Sequence, residues 1–107
     1  MARAVVIGAG AAGLTAAAFL ARDGCEVDVF EQVPHIGGVT STIHREGFAW
    51  DVGPFGGYCP MLGRSGAPHR TPIEGLWFIG SQSESGPGVW TQLMSSRNVC
   101  KSLSKEV

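Results

Sequence analysis

At 107 residues, with 44% hydrophobic and 16% charged side chains, the chain is long enough for one domain with a thin core. A formal net charge of −1 gives no electrostatic ground for nucleic acid as a partner. No apolar run reaches the length of a membrane span, and the first apolar stretch, broken by glycines, continues into a patterned helix rather than forming a signal peptide.

Residues 3–7, "RAVVI", read as a short buried parallel strand. "GAGAAG" follows, and the alanine-rich run through Leu14, Ala17, Ala18 and Ala21 reads as a helix that ends at Asp23-Gly24. "EVDVFE", Glu26 to Glu31, is the second strand, so the chain opens with a βαβ unit of right-handed crossover. Further on, Thr42 to His44 and Phe48 to Trp50 predict a β-hairpin turning at Glu46-Gly47. Residues 53–75 are dense in glycine and proline, without periodicity, and read as an irregular connection or linker. "LWFIG", Leu76 to Gly80, predicts a third buried strand, and a last helix is expected from about Gly88 to near Lys105. The whole is one domain: residues 1–52 with the βαβ unit and hairpin, 53–75 as the connection, and 76–107 as strand and helix.

Gly8, Gly10 and Gly13 form G-x-G-x-x-G between a strand and a helix. The first allows a tight turn, the second lets a pyrophosphate approach the backbone, and the third lets the helix pack close to the strand. The helix start at Ala11 and Ala12 offers N–H groups and a partial positive charge to phosphates. Glu31, at the end of the second strand and followed by Gln32, can accept hydrogen bonds from both hydroxyls of an adenosine ribose. Its charge would repel a 2′-phosphate, which disfavours NADP. To this point NAD and FAD stand equal.

"EQVPHIGG" separates them, because an acid followed by a short spacer and Gly37-Gly38 resembles the glycine-doublet flavoprotein family. "GGVTSTIHREGFAWDVGP" is similar to the segment after the doublet in phytoene desaturases, carotenoid isomerases and retinol saturases. That family often has Arg where Val39 stands, so Thr40 and Ser41 are the hydroxyl donors left for a phosphate contact. "TPIEGLWFIGSQSESGPGVWTQLMSSRNVCKSL" resembles the family's C-terminal flavin motif, with Gly80 ending a strand, Ser81 where relatives carry Asp, and Gly88 and Val89 opening a helix near the flavin. The resemblance implies non-covalent FAD bound to a minimal Rossmann-like α/β domain: a small parallel sheet with the first strand central, flanking helices and the hairpin. It also implies that the substrate domain, several hundred residues in relatives, is missing from the middle.

Trp50, Trp77 and Trp90 could stack on a ring system, with Trp77 better suited to a core strand. Tyr58 and Cys59 fall where the family's flavin-facing loop would run, and Asp51 reads as a turn residue. Cys25, Cys59 and Cys100 are an odd set without C-x-x-C spacing, as expected for free thiols in a reducing cytoplasm. His35, His44 and His69 are too scattered for a metal site. No residues of the types and spacing needed for nucleophilic or acid–base catalysis stand out, and a flavin needs none for hydride transfer. The expected function is a minimal FAD-dependent oxidoreductase or electron-transfer flavoprotein with a small-molecule electron donor or acceptor. A flavin-binding module without turnover, or a relic that binds nothing, are the alternatives. The resemblance also implies that, without the substrate domain, the apolar residues around Phe48 and Trp50, Pro54 to Leu62 and Trp90 would be left exposed, so a homo-oligomer, most simply a dimer, is expected to cover them.

Overall fold

A computed structural model of the chain describes residues 2–52 and 66–106. Strand β1 (Arg3–Ile7) pairs in parallel with β2 (Glu26–Phe30), Arg3 lying opposite Glu26 and Ile7 opposite Phe30. Helix α1 (Ala11–Arg22) makes the crossover between them. Strand alternation turns Ala4 and Val6 towards α1, where Val6 joins Ala16, Leu20 and Cys100 in the buried core. The predicted helix end is present in detail. Cys25 N–H donates to Leu20 O and Gly24 N–H to Ala21 O, both at 3.0 Å, with Gly24 at φ +94°. That is a Schellman closure, which glycine favours at this position.

Helix α2 (Val89–Glu106) lies beside α1 and runs in the same direction. Ser96 Oγ donates to Ala12 O at 3.1 Å and Cys100 Sγ to Ala16 O at 3.5 Å, so contacts advance four residues together on both helices. Small side chains at these positions let the two backbones approach closely. Both helices therefore begin at the same end of the molecule, beyond the C-terminal end of β1.

The hairpin forms as expected, with β3 (Thr42–Arg45) antiparallel to β4 (Phe48–Asp51). Glu46 at φ 52° and Gly47 at φ 79° make the two-residue turn. Positive φ at both positions is the type I′ geometry that matches the twist of the strands. Asp51 is not a turn residue but the last residue of β4, where it accepts a hydrogen bond from Thr42 Oγ1 at 3.0 Å.

The expected third strand is corrected. Among the described residues the parallel sheet has two strands, so β1 is not central and Leu76 to Gly80 does not join it. That segment pairs locally instead. Phe78 N–H donates to His69 O at 2.8 Å, Arg70 bridges Trp77, and Ala67 bridges Ser83. The His69 ring adds bonds to Phe78 O at 2.8 Å and Ser85 Oγ at 2.5 Å. Of the expected 53–75 connection, residues 53–65 lie outside the described residues, and residues 66–75 are tied to the segment that follows. Trp77 sits half-buried under the Arg70 guanidinium, 5.3 Å from its ring centre, while Ile79 is the residue of this run that packs on the core. Tyr58, Cys59 and the Pro54 to Leu62 patch lie outside the described residues.

One face of the sheet is covered by α1. On the other, Val5, Ile7 and Phe30 are 60%, 84% and 60% exposed, with Arg3 paired to Asp28 beside them.

Candidate nucleotide-binding site

The glycine loop fills the gap between β1 and α1, and Gly8 takes φ +101° at its start. Gly8 N–H donates to Phe30 O at 2.7 Å, which holds the loop against the end of β2 and places Glu31 beside it. A Cβ on Gly13 would come within 1.8 Å of Gly8 O, so the helix can pack on its own loop only with glycine there. Gly10 is different. Its φ is −81° and a Cβ would meet nothing within 4 Å, so no contact inside the chain requires glycine. A side chain there would stand in the cradle at the start of α1, which neither a side-chain cap nor an acidic residue in the first turn neutralises.

The glycine doublet lies directly against this cradle. Gly37 N–H donates to Ala9 O at 2.7 Å and Gly37 pairs with Gly10 in a parallel bridge. A Cβ on Gly38 would sit 3.2 Å from Gly10 Cα. The structure therefore brings together Gly8, Gly10, Ala11, Ala12, Gly13, Glu31, Gly37 and Gly38, and leaves the adjoining Gln32 and Val39 exposed. Thr40 and Ser41 behave differently from the expectation. Their hydroxyls donate to Gly37 O at 2.5 Å and Gly38 O at 2.6 Å, closing the 3-10 turn Gly38–Thr40 rather than pointing donors at a ligand.

Gly80 follows Ile79, whose contact with the core brings this segment against β1 and α1. Ser83 donates to Gly80 O through both N–H (3.0 Å) and Oγ (2.6 Å), and Ser81 is exposed. Gly88 and Val89 open α2. Among the described residues none of these four is hydrogen-bonded to the glycine loop; the α1–α2 packing carries Gly88 and Val89 to the same end, while Ile79 seats Gly80 and Ser81 beside the core. Sequence reasoning missed Ala9, whose carbonyl receives the doublet, and Gln92 and Ser96 on the buried side of α2. Their signal was present: Gln92, Ser96, Val99 and Leu103 recur at helical spacing.

Among the described residues no group of His, Cys, Asp and Glu could hold a metal ion. Cys25 and Cys100 are free thiols, and burial, with the charges of Asp23 and Cys25 adding to it, pushes Cys100 from 9.0 up to about 11. A cleft of about 520 Å³ lined by Arg70, Pro72, Glu74, Trp77 and Glu106 lies at the far end of α2 from the glycine loop. Its Arg70 is paired with Glu106 at 2.7 Å, so it is not part of the nucleotide site. No helix among the described residues is long and apolar enough to cross a membrane.

Comparison with known proteins matches residues 6–59, just over half of the chain, to the NAD(P)-binding Rossmann-like domain family. The chain is 50% identical over 52 residues to a zeta-carotene-forming phytoene desaturase of Myxococcus xanthus, covering 49% of this chain and 10% of that protein. It is 47% identical over 49 residues to a 4,4′-diapophytoene desaturase of Staphylococcus aureus, covering 46% and 10%. Among solved structures it is similar to an oxidoreductase from Methanosarcina mazei, at 45% identity over 50% of this chain and 13% of that one, with a TM-score of 0.47. The chain thus spans about a tenth of the length of the curated relatives it matches.

Proposed function

Because the chain belongs to the NAD(P)-binding Rossmann-like domain family, we propose that it binds FAD non-covalently and serves as the cofactor-holding part of an oxidoreductase or electron-transfer flavoprotein. The observation that carries this reading is the seating of the glycine doublet on the glycine loop, Gly37 N–H to Ala9 O at 2.7 Å. It leaves a cradle without side chains on either wall, as a long dinucleotide requires. Gly10, Ala11 and Ala12 would present N–H groups to the diphosphate, and Glu31 would accept from the adenosine ribose. Gly80, Ser81, Gly88 and Val89 would line the far half of the cofactor. The similarity to phytoene and diapophytoene desaturases supports a dinucleotide-dependent oxidoreductase, and the choice of FAD over NAD rests on the acid, spacer and glycine doublet of "EQVPHIGG". Bound FAD supplies the hydride or electron transfer, and the chain's residues hold and orient it.

A second reading is a flavin-binding module without turnover of its own. The uncovered sheet face with Val5, Ile7 and Phe30 favours it, since such a face suits a partner subunit or a second copy that completes the enzyme. A homodimer in a reducing cytoplasm is the simplest form of this. An absorbance spectrum of the purified protein, with chromatography of the cofactor released on denaturation, tests the main reading. Flavin bands and released FAD support it, and a colourless protein that takes up no added FAD overturns it. Dye reduction by NADH then separates the enzyme from the passive module.

A further inference from the structure

Gln92 is buried in the first part of α2, 7% exposed. Its Nε2 donates to Gly86 O at 2.9 Å. Its Oε1 is the one buried side-chain oxygen or nitrogen without a hydrogen-bond partner among the described residues. The amide cannot be turned over to remedy this. The oxygen would then face the Gly86 carbonyl, and the nitrogen would become the unpartnered atom.

The place of this acceptor follows from the helix register. Ser96 meets Ala12 and Cys100 meets Ala16, so one turn earlier Gln92 lies towards the end of the molecule where α1 begins and the glycine loop stands. The Gly86 carbonyl that holds its nitrogen belongs to the turn leading into α2. The amide therefore sits at the end where both helices begin, the end that holds the glycine loop. A buried acceptor without a donor is unfavourable unless a ligand supplies one.

We propose that Gln92 is a cofactor-contacting residue, whose Oε1 accepts a hydrogen bond from a hydroxyl or ring N–H in the part of the dinucleotide that extends past its diphosphate. This rests on the dinucleotide reading above. An ionised diphosphate carries only acceptors and cannot satisfy Oε1, whereas polyol hydroxyls and heteroaromatic N–H groups can. Gln92 then distinguishes a full dinucleotide from its ADP half, which the glycine loop and Glu31 hold without it.

The test uses FAD and ADP as probes, titrated calorimetrically into the parent and into Gln92→Met and Gln92→Leu, with thermal unfolding of each cofactor-free protein alongside. Both variants should bind FAD about tenfold more weakly, the effect of one lost hydrogen bond. Their affinity for ADP should match the parent's, and their cofactor-free midpoints should change little, since the lost bond to the Gly86 carbonyl is offset by removal of the unpartnered oxygen. Unchanged FAD affinity in the folded variants overturns the proposal while leaving the dinucleotide reading intact. Equal losses for FAD and ADP with a lower midpoint overturn it in favour of a structural role. A parent that binds neither probe removes the dinucleotide reading itself, and the proposal with it.

Discussion

Gly10 and Gly13 are three residues apart in one motif, yet the chain needs them for opposite reasons. At Gly13 a Cβ would overlap Gly8 O at 1.8 Å, so Gly13→Ala should force helix and loop apart and destabilise the cofactor-free protein by about 1–3 kcal/mol. At Gly10 a Cβ meets nothing within 4 Å, so Gly10→Val should leave that midpoint nearly unchanged and abolish FAD retention. Thermal unfolding and flavin content, measured on both variants, check this double contrast. Cys100 gives a prediction with a sign. Its thiol is held neutral up to about 11 when folded but ionises near 9.0 when exposed, so it leaves stability untouched below pH 9. Stability should then fall as pH rises from 9 to 11, because the unfolded chain gives up the proton first. Denaturant titrations across that range should show this loss in the parent and not in Cys100→Ala, once the variant's own lower baseline is allowed for.

The elements that were legible in the sequence are those whose partners are close in the chain. β1, α1 and β2 declare themselves by apolar alternation, an alanine-rich helix and a Schellman glycine at Gly24, and the hairpin by Glu46-Gly47. Glu46 is the non-glycine residue with positive φ among the described residues, and a type I′ turn prefers Asn or Gly at that position. Glu46→Asn should therefore stabilise the protein by about 0.5–1 kcal/mol, read as a raised denaturant midpoint at unchanged slope. Leu76 to Gly80 was misread because apolar character says that a segment is sticky, not which neighbour it will meet. Pairing Phe78 with His69 closes a short loop, whereas reaching β1 spans most of the chain and loses more closure entropy. The meeting of the glycine doublet with Gly10 was foreseeable only as a common destination, since its contact is backbone to backbone. Gln92 was hidden by its type, a polar residue standing in a buried stripe.

At the scale of the molecule, the parallel sheet has, among the described residues, a face covered by α1, an opposite face that none of them covers, and an edge of β1 that none of them pairs. The uncovered face, with Val5, Ile7 and Phe30, is a natural seat for a second copy, so light scattering after size exclusion should give twice the monomer mass. A monomer at micromolar concentration would leave that face open to another partner. The free edge of β1 has a separate consequence for exchange with heavy water. Glu26 N–H donates to Ala2 O and Gly8 N–H to Phe30 O, so the even-numbered residues of β1 aim their amides at β2 and Val5 and Ile7 aim theirs outward. Deuterium uptake along β1 should alternate, slow at Ala4 and Val6 and fast at Val5 and Ile7. A dimer joined through the sheet face keeps that alternation, and one joined strand to strand erases it, so the rhythm of a single five-residue strand reports how the copies meet.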